Sequence, residues 1–166
     1  MKVVVSLGSN LGDKLANLKL AADALQPLSR SPIRKSAVYE SSPVDCPPDS
    51  PSFLNAVVEL EVDDGLSPHK LLQTLQSIER KLGRKPKQIL NEPRPIDLDL
   101  IYCGSMKVNS PDLTLPHPRA HLRWFVLQPL CDLSPDLVLP GQTKTVRELL
   151  AALPDDKTVR LFATTW

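Results

Sequence analysis

Aromatic residues are scarce in this chain, at 4% of 166 residues. No strand interleaves bases with aromatics, which disfavours a nucleic-acid-binding sheet. Charge of one sign is also lacking: the net charge is +1, so no global field draws the molecule to nucleic acid or to a membrane surface. Cys46, Cys103 and Cys131 are the only cysteines. Their odd count and wide spacing, with no CxxC, argue against a disulfide framework and against a structural zinc site. Long apolar runs are missing too. Met1 to Ser6 is too short for a signal peptide, and no later stretch reaches membrane-spanning length. A reducing, cytoplasmic setting is the expectation.

Proline is what the chain has in excess, with 17 residues, roughly twice the usual share. The prolines cluster in connections, so the loops are stiff. Length and a hydrophobic content of 42% fit one globular domain over residues 1–166 with a real core.

Residues 2–7 are β-branched and read as a buried strand. Asp13 caps a helix whose stripe is Leu15, Leu18, Ala21, Ala22 and Leu25, and Pro27 stops it. Residues 33–41 read as a strand. Residues 43–51 hold four prolines and must be a rigid loop. From Phe53 to Val62 the pattern alternates: Leu54, Ala56, Val58 and Leu60 share one face, Phe53, Asn55, Val57 and Glu59 the other. Ser67 and Pro68 open a helix that Gly83 ends. A cationic loop, 84–95, leads into a strand at 96–102. Helices follow at 119–131 and 145–152, then a strand at 158–162. The order β-α-β-β-α-β with extra C-terminal helices predicts an α+β fold: a ferredoxin-like, mainly antiparallel sheet flanked by helices.

The sharpest motif is Arg94-Pro95-Ile96-Asp97-Leu98-Asp99-Leu100. On a strand, Asp97 and Asp99 point to one side and their apolar neighbours to the other. The carboxylates then stand about 6–7 Å apart, with a repulsion of roughly 2.5 kcal/mol at an effective dielectric near 20. Hard oxygen ligands without Cys or His suit Mg²⁺ shared with substrate phosphates, and the pair could hold two such ions over a transferring phosphate. A solvated strand face is the other reading, since in water the repulsion falls below roughly 1 kcal/mol. Arg84, Lys85, Lys87 and Arg94 in the preceding loop favour phosphate chemistry, where charge must be neutralised from both sides.

The Gly8–Lys14 turn is not a Walker A loop and reads as a tight strand-to-helix turn. Pro118 biases His117 away from helical angles, so His117 and His121 do not make a zinc site. His117, near Arg119 and Arg123, suits a phosphate hydrogen-bond donor instead. Phe53 and Asn55 on one face suit a flat heterocycle with an amide-like edge. Phe125 is open between that role and the core, and Gln76 and Glu79, on one helix face, between a site and ordinary surface.

Several segments together resemble the 6-hydroxymethyl-7,8-dihydropterin pyrophosphokinase family. They are Ser6-Leu7-Gly8-Ser9-Asn10-Leu11-Gly12, Tyr39-Glu40-Ser41-Ser42-Pro43-Val44, Phe53-Leu54-Asn55-Ala56, Ile78-Glu79-Arg80-Lys81-Leu82-Gly83-Arg84, Pro93 to Asp99, and Leu115-Pro116-His117-Pro118. The resemblance implies transfer of the β,γ-diphosphate of ATP to a reduced pterin alcohol, releasing AMP. It implies two Mg²⁺ ions on Asp97 and Asp99, with Arg84 and Arg94 stabilising charge. It puts Gln76, Glu79, Arg84, Arg94, Leu100, Thr114, His117 and Arg123 at ATP. It puts Ser42, Pro43, Val44, Phe53, Asn55 and Phe125 at the pterin. ATP and the pterin would be its partners, without nucleic acid or membrane, and the chain would act as a monomer. Glu92 stands where the family commonly has a small residue. Aimed at a triphosphate it would repel, so it is expected to face solvent. The reading from another class is a ferredoxin-like module that binds a small ligand without turnover.

Overall fold

The computed structural model describes residues 1–43, 46–86, 88–156 and 158–166. In chain order the elements are β1 (Lys2–Ser9), α1 (Lys14–Leu25), β2 (Arg34–Lys35), β3 (Val38–Ser41), β4 (Phe53–Glu61), α2 (Pro68–Lys81), β5 (Asp97–Cys103), β6 (Val108–Asn109), β7 (Thr114–Leu115), α3 (Trp124–Leu133), α4 (Val146–Ala152) and β8 (Arg160–Ala163). The main sheet has six strands in the order β5-β1-β4-β3-β8, with β2 also paired to β4. Its ladders are antiparallel. This is the expected ferredoxin-like arrangement, with β8 added at one edge.

Local chemistry sets the helix ends. The Asp13 carboxylate accepts from the Ala16 N–H and the Ser67 hydroxyl from the Lys70 N–H, capping α1 and α2. Gly83, at φ 100°, takes the left-handed turn after α2 that a Cβ disfavours. Thr145 and Glu148 form a reciprocal capping box on α4.

Two apolar layers sandwich the sheet. On one face Val3, Val5, Leu7, Leu54, Ala56 and Val58 pack against Leu18, Ala22 and Leu25 of α1 and Leu71, Leu75 and Ile78 of α2. On the other face Val4, Val57, Ile101 and Tyr102 pack against Val126, Leu127 and Leu130 of α3 and Val146 of α4. The additional C-terminal helices therefore close the second face. β1, covered on both sides, reads as one continuous buried run for that reason.

Three elements depart from simple periodicity. The expected strand at 33–41 is broken at Ser36 and Ala37, and the Ser36 hydroxyl accepts from the Val57 N–H at 2.9 Å in place of a regular ladder step. The expected helix at 119–131 becomes a 3-10 turn over Ala120–Leu122, an extended Arg123, then α3. In β5 the register slips against Val4 and Val5, so Ile101 and Tyr102 both fall on the second face, as a bulge allows. The Ile101 carbonyl accepts from the His117 N–H at 2.8 Å.

Candidate active site

At the end of the sheet that α3 leaves uncovered lies a cavity of about 480 Å³, within the range of small-molecule sites. Three strands make its floor. Gly8 of β1 is opposite Asn55 of β4 and Asp97 of β5, while Ser6 is opposite Val57 and Asp99. Further along the same face β1 carries Val4, which packs under α3. The change from Val4 to Ser6 and Gly8 is what opens the floor: two small side chains leave room where a valine would fill it. A Cβ on Gly8 would meet Phe53 Cδ1 at 3.5 Å and Asn55 Oδ1 at 3.7 Å. The Asn55 amide nitrogen donates to Ser41 Oγ at 2.7 Å and to the Tyr39 carbonyl at 3.3 Å, which leaves the amide oxygen as an acceptor.

One wall is charged. Arg84 Nη1 donates to Asp97 Oδ1 at 2.8 Å and to Glu79 Oε2 at 2.6 Å, and Arg94 Nη2 reaches Asp97 Oδ2 at 3.3 Å. Glu79 Oε2 also accepts from the Leu98 N–H at 2.9 Å, tying α2 to the outer edge of β5. Burial, with help from Asp97, pushes the Glu79 carboxyl up, against the Leu98 hydrogen bond and Arg84. Asp99 accepts no hydrogen bond among the described residues. Burial first, then the charge of Asp97, pushes it up to about 7, against the pull of Arg123 and Arg84.

Two guanidiniums lie over the two phenylalanines of the cavity. Arg94 is 5.1 Å from the Phe53 ring centre and Arg123 is 5.3 Å from that of Phe125. The backbone of Arg94 is fixed by Asn10, whose side-chain oxygen accepts from the Arg94 N–H at 2.9 Å and whose own N–H donates to the Arg94 carbonyl at 3.2 Å. Lys14 Nζ donates to the Ser52 carbonyl at 3.1 Å, holding the far end of the proline-rich loop. The turn after β1 thus anchors both loops that border the cavity, a task its sequence did not announce.

Among the described residues no group of three or more His, Cys, Asp or Glu side chains could hold a metal ion. Asp97 and Asp99 are two hard oxygen ligands at one cavity, both half-buried, and among the described residues Asp99 accepts no hydrogen bond. Such a set fits Mg²⁺, which takes one or two carboxylates and fills its remaining positions with water and phosphate oxygens.

A family model for 7,8-dihydro-6-hydroxymethylpterin-pyrophosphokinase (HPPK) matches residues 4–135. The chain belongs to that family. The match covers 132 of its 166 residues, from 4 to 135. A 2-amino-4-hydroxy-6-hydroxymethyldihydropteridine pyrophosphokinase of Pseudomonas aeruginosa is 40% identical over 161 residues, spanning 96% of this chain and 96% of that protein. The enzyme of the same name from Haemophilus influenzae is 37% identical, over 95% and 96% of the two chains. A folate synthesis bifunctional protein of Arabidopsis thaliana is 41% identical over 80% of this chain, which spans only 27% of that longer protein. Among solved structures, Plasmodium falciparum HPPK-DHPS with SDX-DHP superposes with a TM-score of 0.69 at 14% identity, over 90% of this chain and 44% of that one. At that identity the likeness is one of fold.

Of the residues singled out from the pyrophosphokinase resemblance, Ser42, Phe53, Asn55, Arg94, Asp97, Asp99, Arg123 and Phe125 line the cavity. Arg84 and Glu79 touch it through Asp97 and the β5 edge. Gln76 is exposed on α2, Thr114 is exposed on β7, and His117 and Pro43 are half-buried, all outside the cavity lining. The Leu100 side chain is 4% exposed and sits in the core on the opposite face, because it alternates with Asp99. It meets the cavity side of the strand only through backbone. Val44, and Lys87 of the cationic loop, lie outside the described residues. Glu92 does not simply face solvent: it is half-buried and accepts from the Gln88 N–H at 3.2 Å, within its own loop. Arg119, noted beside His117, also lines the cavity; the reading by residues missed Ser6, Gly8, Ser41, Cys46, Asn91, Leu122, Trp124 and the segment 153–156, all of which line it too. Only Ser6 and Gly8 carried a signal, as small residues on one face of an otherwise branched strand.

Burial, then Arg123 and Arg119, push the His117 imidazole down from 6.5 to about 4, while Asp97 pulls it up. The folded chain therefore keeps His117 neutral where the unfolded chain takes up a proton. Its contribution to stability is complete above about pH 6.5 and is lost as pH falls toward 4. Between pH 7 and 4.5 the wild type is expected to lose more melting temperature than His117→Gln, which has no proton to take up on unfolding. Parallel pH profiles would show that the histidine carries none of the acid sensitivity.

Proposed function

We propose that this chain transfers the terminal diphosphate of ATP to the hydroxymethyl group of 6-hydroxymethyl-7,8-dihydropterin, yielding AMP and the pterin diphosphate in folate synthesis. The observation that carries this reading is the convergence, in one cavity, of the Asp97–Asp99 pair, the arginines 94 and 123, and the Phe53–Asn55 face. Its support from outside the molecule is the name of relatives that match almost end to end. A module that binds without turnover has no need of two adjacent carboxylates, one of them ion-paired to two arginines and the other accepting no hydrogen bond among the described residues.

Asp97 and Asp99 would hold Mg²⁺, two ions by our reading, and bound Mg²⁺ supplies charge neutralisation on the phosphate oxygens. Arg84 and Arg94, both paired with Asp97, would turn to the polyphosphate, and Arg123 would approach from the α3 side. Phosphoryl transfer relies on positioning and electrostatics. ATP would lie along the outer edge of β5. There the outward N–H of Leu98 is taken by Glu79 and the Ile101 carbonyl by His117. Between them the backbone of Leu100 is left to a nucleotide, with Gln76 and Thr114 nearby. The pterin would lie on Gly8 between Phe53 and Phe125, with the Asn55 oxygen accepting from its amide or amino edge and Ser42 and Pro43 on the loop side. Among the described residues no helix is long and apolar enough to cross a membrane; a cytoplasmic monomer is our reading.

The test is incubation with ATP, Mg²⁺ and the reduced pterin. AMP in step with pterin diphosphate is expected, whereas ADP, or no turnover, would reject the assignment. The floor gives a second check. Gly8→Ala places its methyl at ordinary contact distances from Phe53 and Asn55, so the fold is expected to be unaffected, while the KM for the pterin rises several-fold and that for ATP stays. An unchanged pterin KM would move the pterin off this floor.

A further inference from the structure

The cavity has a wall that lies beyond the residues matched by the family model. α4 ends where Pro154 forces Leu153 into an extended conformation, φ −71° and ψ 146°. The next residues, Leu153 to Asp156, line the cavity beside Trp124 and Phe125. Leu153 packs on the α3–α4 layer. From Pro154 to Asp156 the backbone runs outside any helix or strand, so few main-chain bonds hold it. One bond ties it across to α3: the Trp124 indole N–H donates to the Pro154 carbonyl at 2.9 Å. Indole nitrogen is a donor only, so this bond has one geometry and fixes the wall relative to the first turn of α3.

We propose that the segment Leu153–Asp156 is a wall of the pterin half of the site, and that Trp124 is the positioning residue that holds it. This rests on the pyrophosphokinase reading above. Two placements assign the wall to the pterin rather than to the nucleotide. Trp124 directly precedes Phe125, one of the two cavity phenylalanines. The wall then leads into β8, at the opposite end of the sheet from the β5 edge. There β8 pairs with β3, whose last residue, Ser41, begins the proline-rich loop. Trp124, Leu153 and Pro154 would exclude water from the edge of a flat heterocycle. The ligand class is thus a planar, hydrogen-bonding bicycle, and the wall sets how large a substituent it tolerates.

Trp124→Phe keeps a ring at the start of α3 and removes the donor. Pro154→Gly loosens the wall from its other side without touching α3. Calorimetric titration of the reduced pterin into protein saturated with Mg²⁺ and a non-hydrolysable ATP analogue is expected to show binding weakened about five-fold in each variant, the worth of one hydrogen bond in Trp124→Phe and of ordering one freed backbone residue in Pro154→Gly. Affinity for the analogue alone is expected to match the wild type, and the melting temperature to fall by no more than the few degrees that one lost bond or one freed backbone residue costs. Pterin affinity within two-fold of wild type in both variants would overturn the proposal, as would equal weakening of pterin and nucleotide. If Trp124→Phe loses more melting temperature than that, Pro154→Gly decides. Wild-type AMP formation is measured alongside: a wild type that makes AMP while both variants bind pterin normally removes the wall and leaves the function standing, and a wild type that makes none removes both.

Discussion

Asp97→Asn and Asp99→Asn are each expected to lower AMP formation by about 10³-fold or more, since neutralising charge on a transferring phosphate is worth several kcal/mol. The two variants should differ in stability. Asp97 is held by Arg84 and Arg94, and an asparagine there leaves two half-buried cations with less opposing charge, so its melting temperature should fall. Asp99 accepts no hydrogen bond among the described residues and is half-buried beside another carboxylate, a position that costs the folded state free energy. Asparagine removes that charge. A melting temperature at pH 7.5 above that of wild type, in a protein that has lost turnover, would mark Asp99 as a group kept for function against stability. Retained activity in either variant would end the assignment of the pair to Mg²⁺.

Arg94→Ala is expected to reduce kcat by about 10²–10³-fold, the scale seen when one preorganised donor to a transition state is removed. KM for ATP should change far less, because the arginine acts mainly on charge that develops during transfer. Arg94 is well placed for such an effect. Its backbone is clamped by Asn10, its side chain is 15% exposed, and its guanidinium lies between Asp97 and Phe53. Arg94→Lys should not restore the rate, since an ammonium cannot present the planar fork that spans two oxygens. Arg84→Ala should cost a similar factor and also free Glu79, which shares Arg84 Nη1 with Asp97. A kcat within three-fold of wild type for both alanine variants would leave the arginines as structural counter-ions of Asp97.

Much of this site was visible in one dimension. Alternation from Phe53 to Val62 assigned Asn55 and Phe53 to one face and Leu54 and Ala56 to the core, and the structure agrees residue by residue. The Asp-Leu-Asp spacing put both carboxylates on one side of β5 in the same way. What stayed hidden depends on partners distant in the chain. Nothing in the 119–131 pattern reports the break at Arg123, which frees its side chain for the cavity, nor that Trp124 reaches Pro154. The Gly8–Lys14 turn looks like a connection until Asn10 is seen to hold Arg94, 84 residues away.

Strand and helix periods, the DxD pair and the cationic loop belong to the primary chain alone, because the direction of a side chain along an extended or helical segment is a local property of backbone geometry. Which face received the second pair of helices, how an end of that face was left open above Ser6 and Gly8, and how two arginines came to share Asp97 were settled by folding. Those outcomes follow from packing and hydrogen bonding between segments that the chain order keeps apart, and no local rule of spacing contains them.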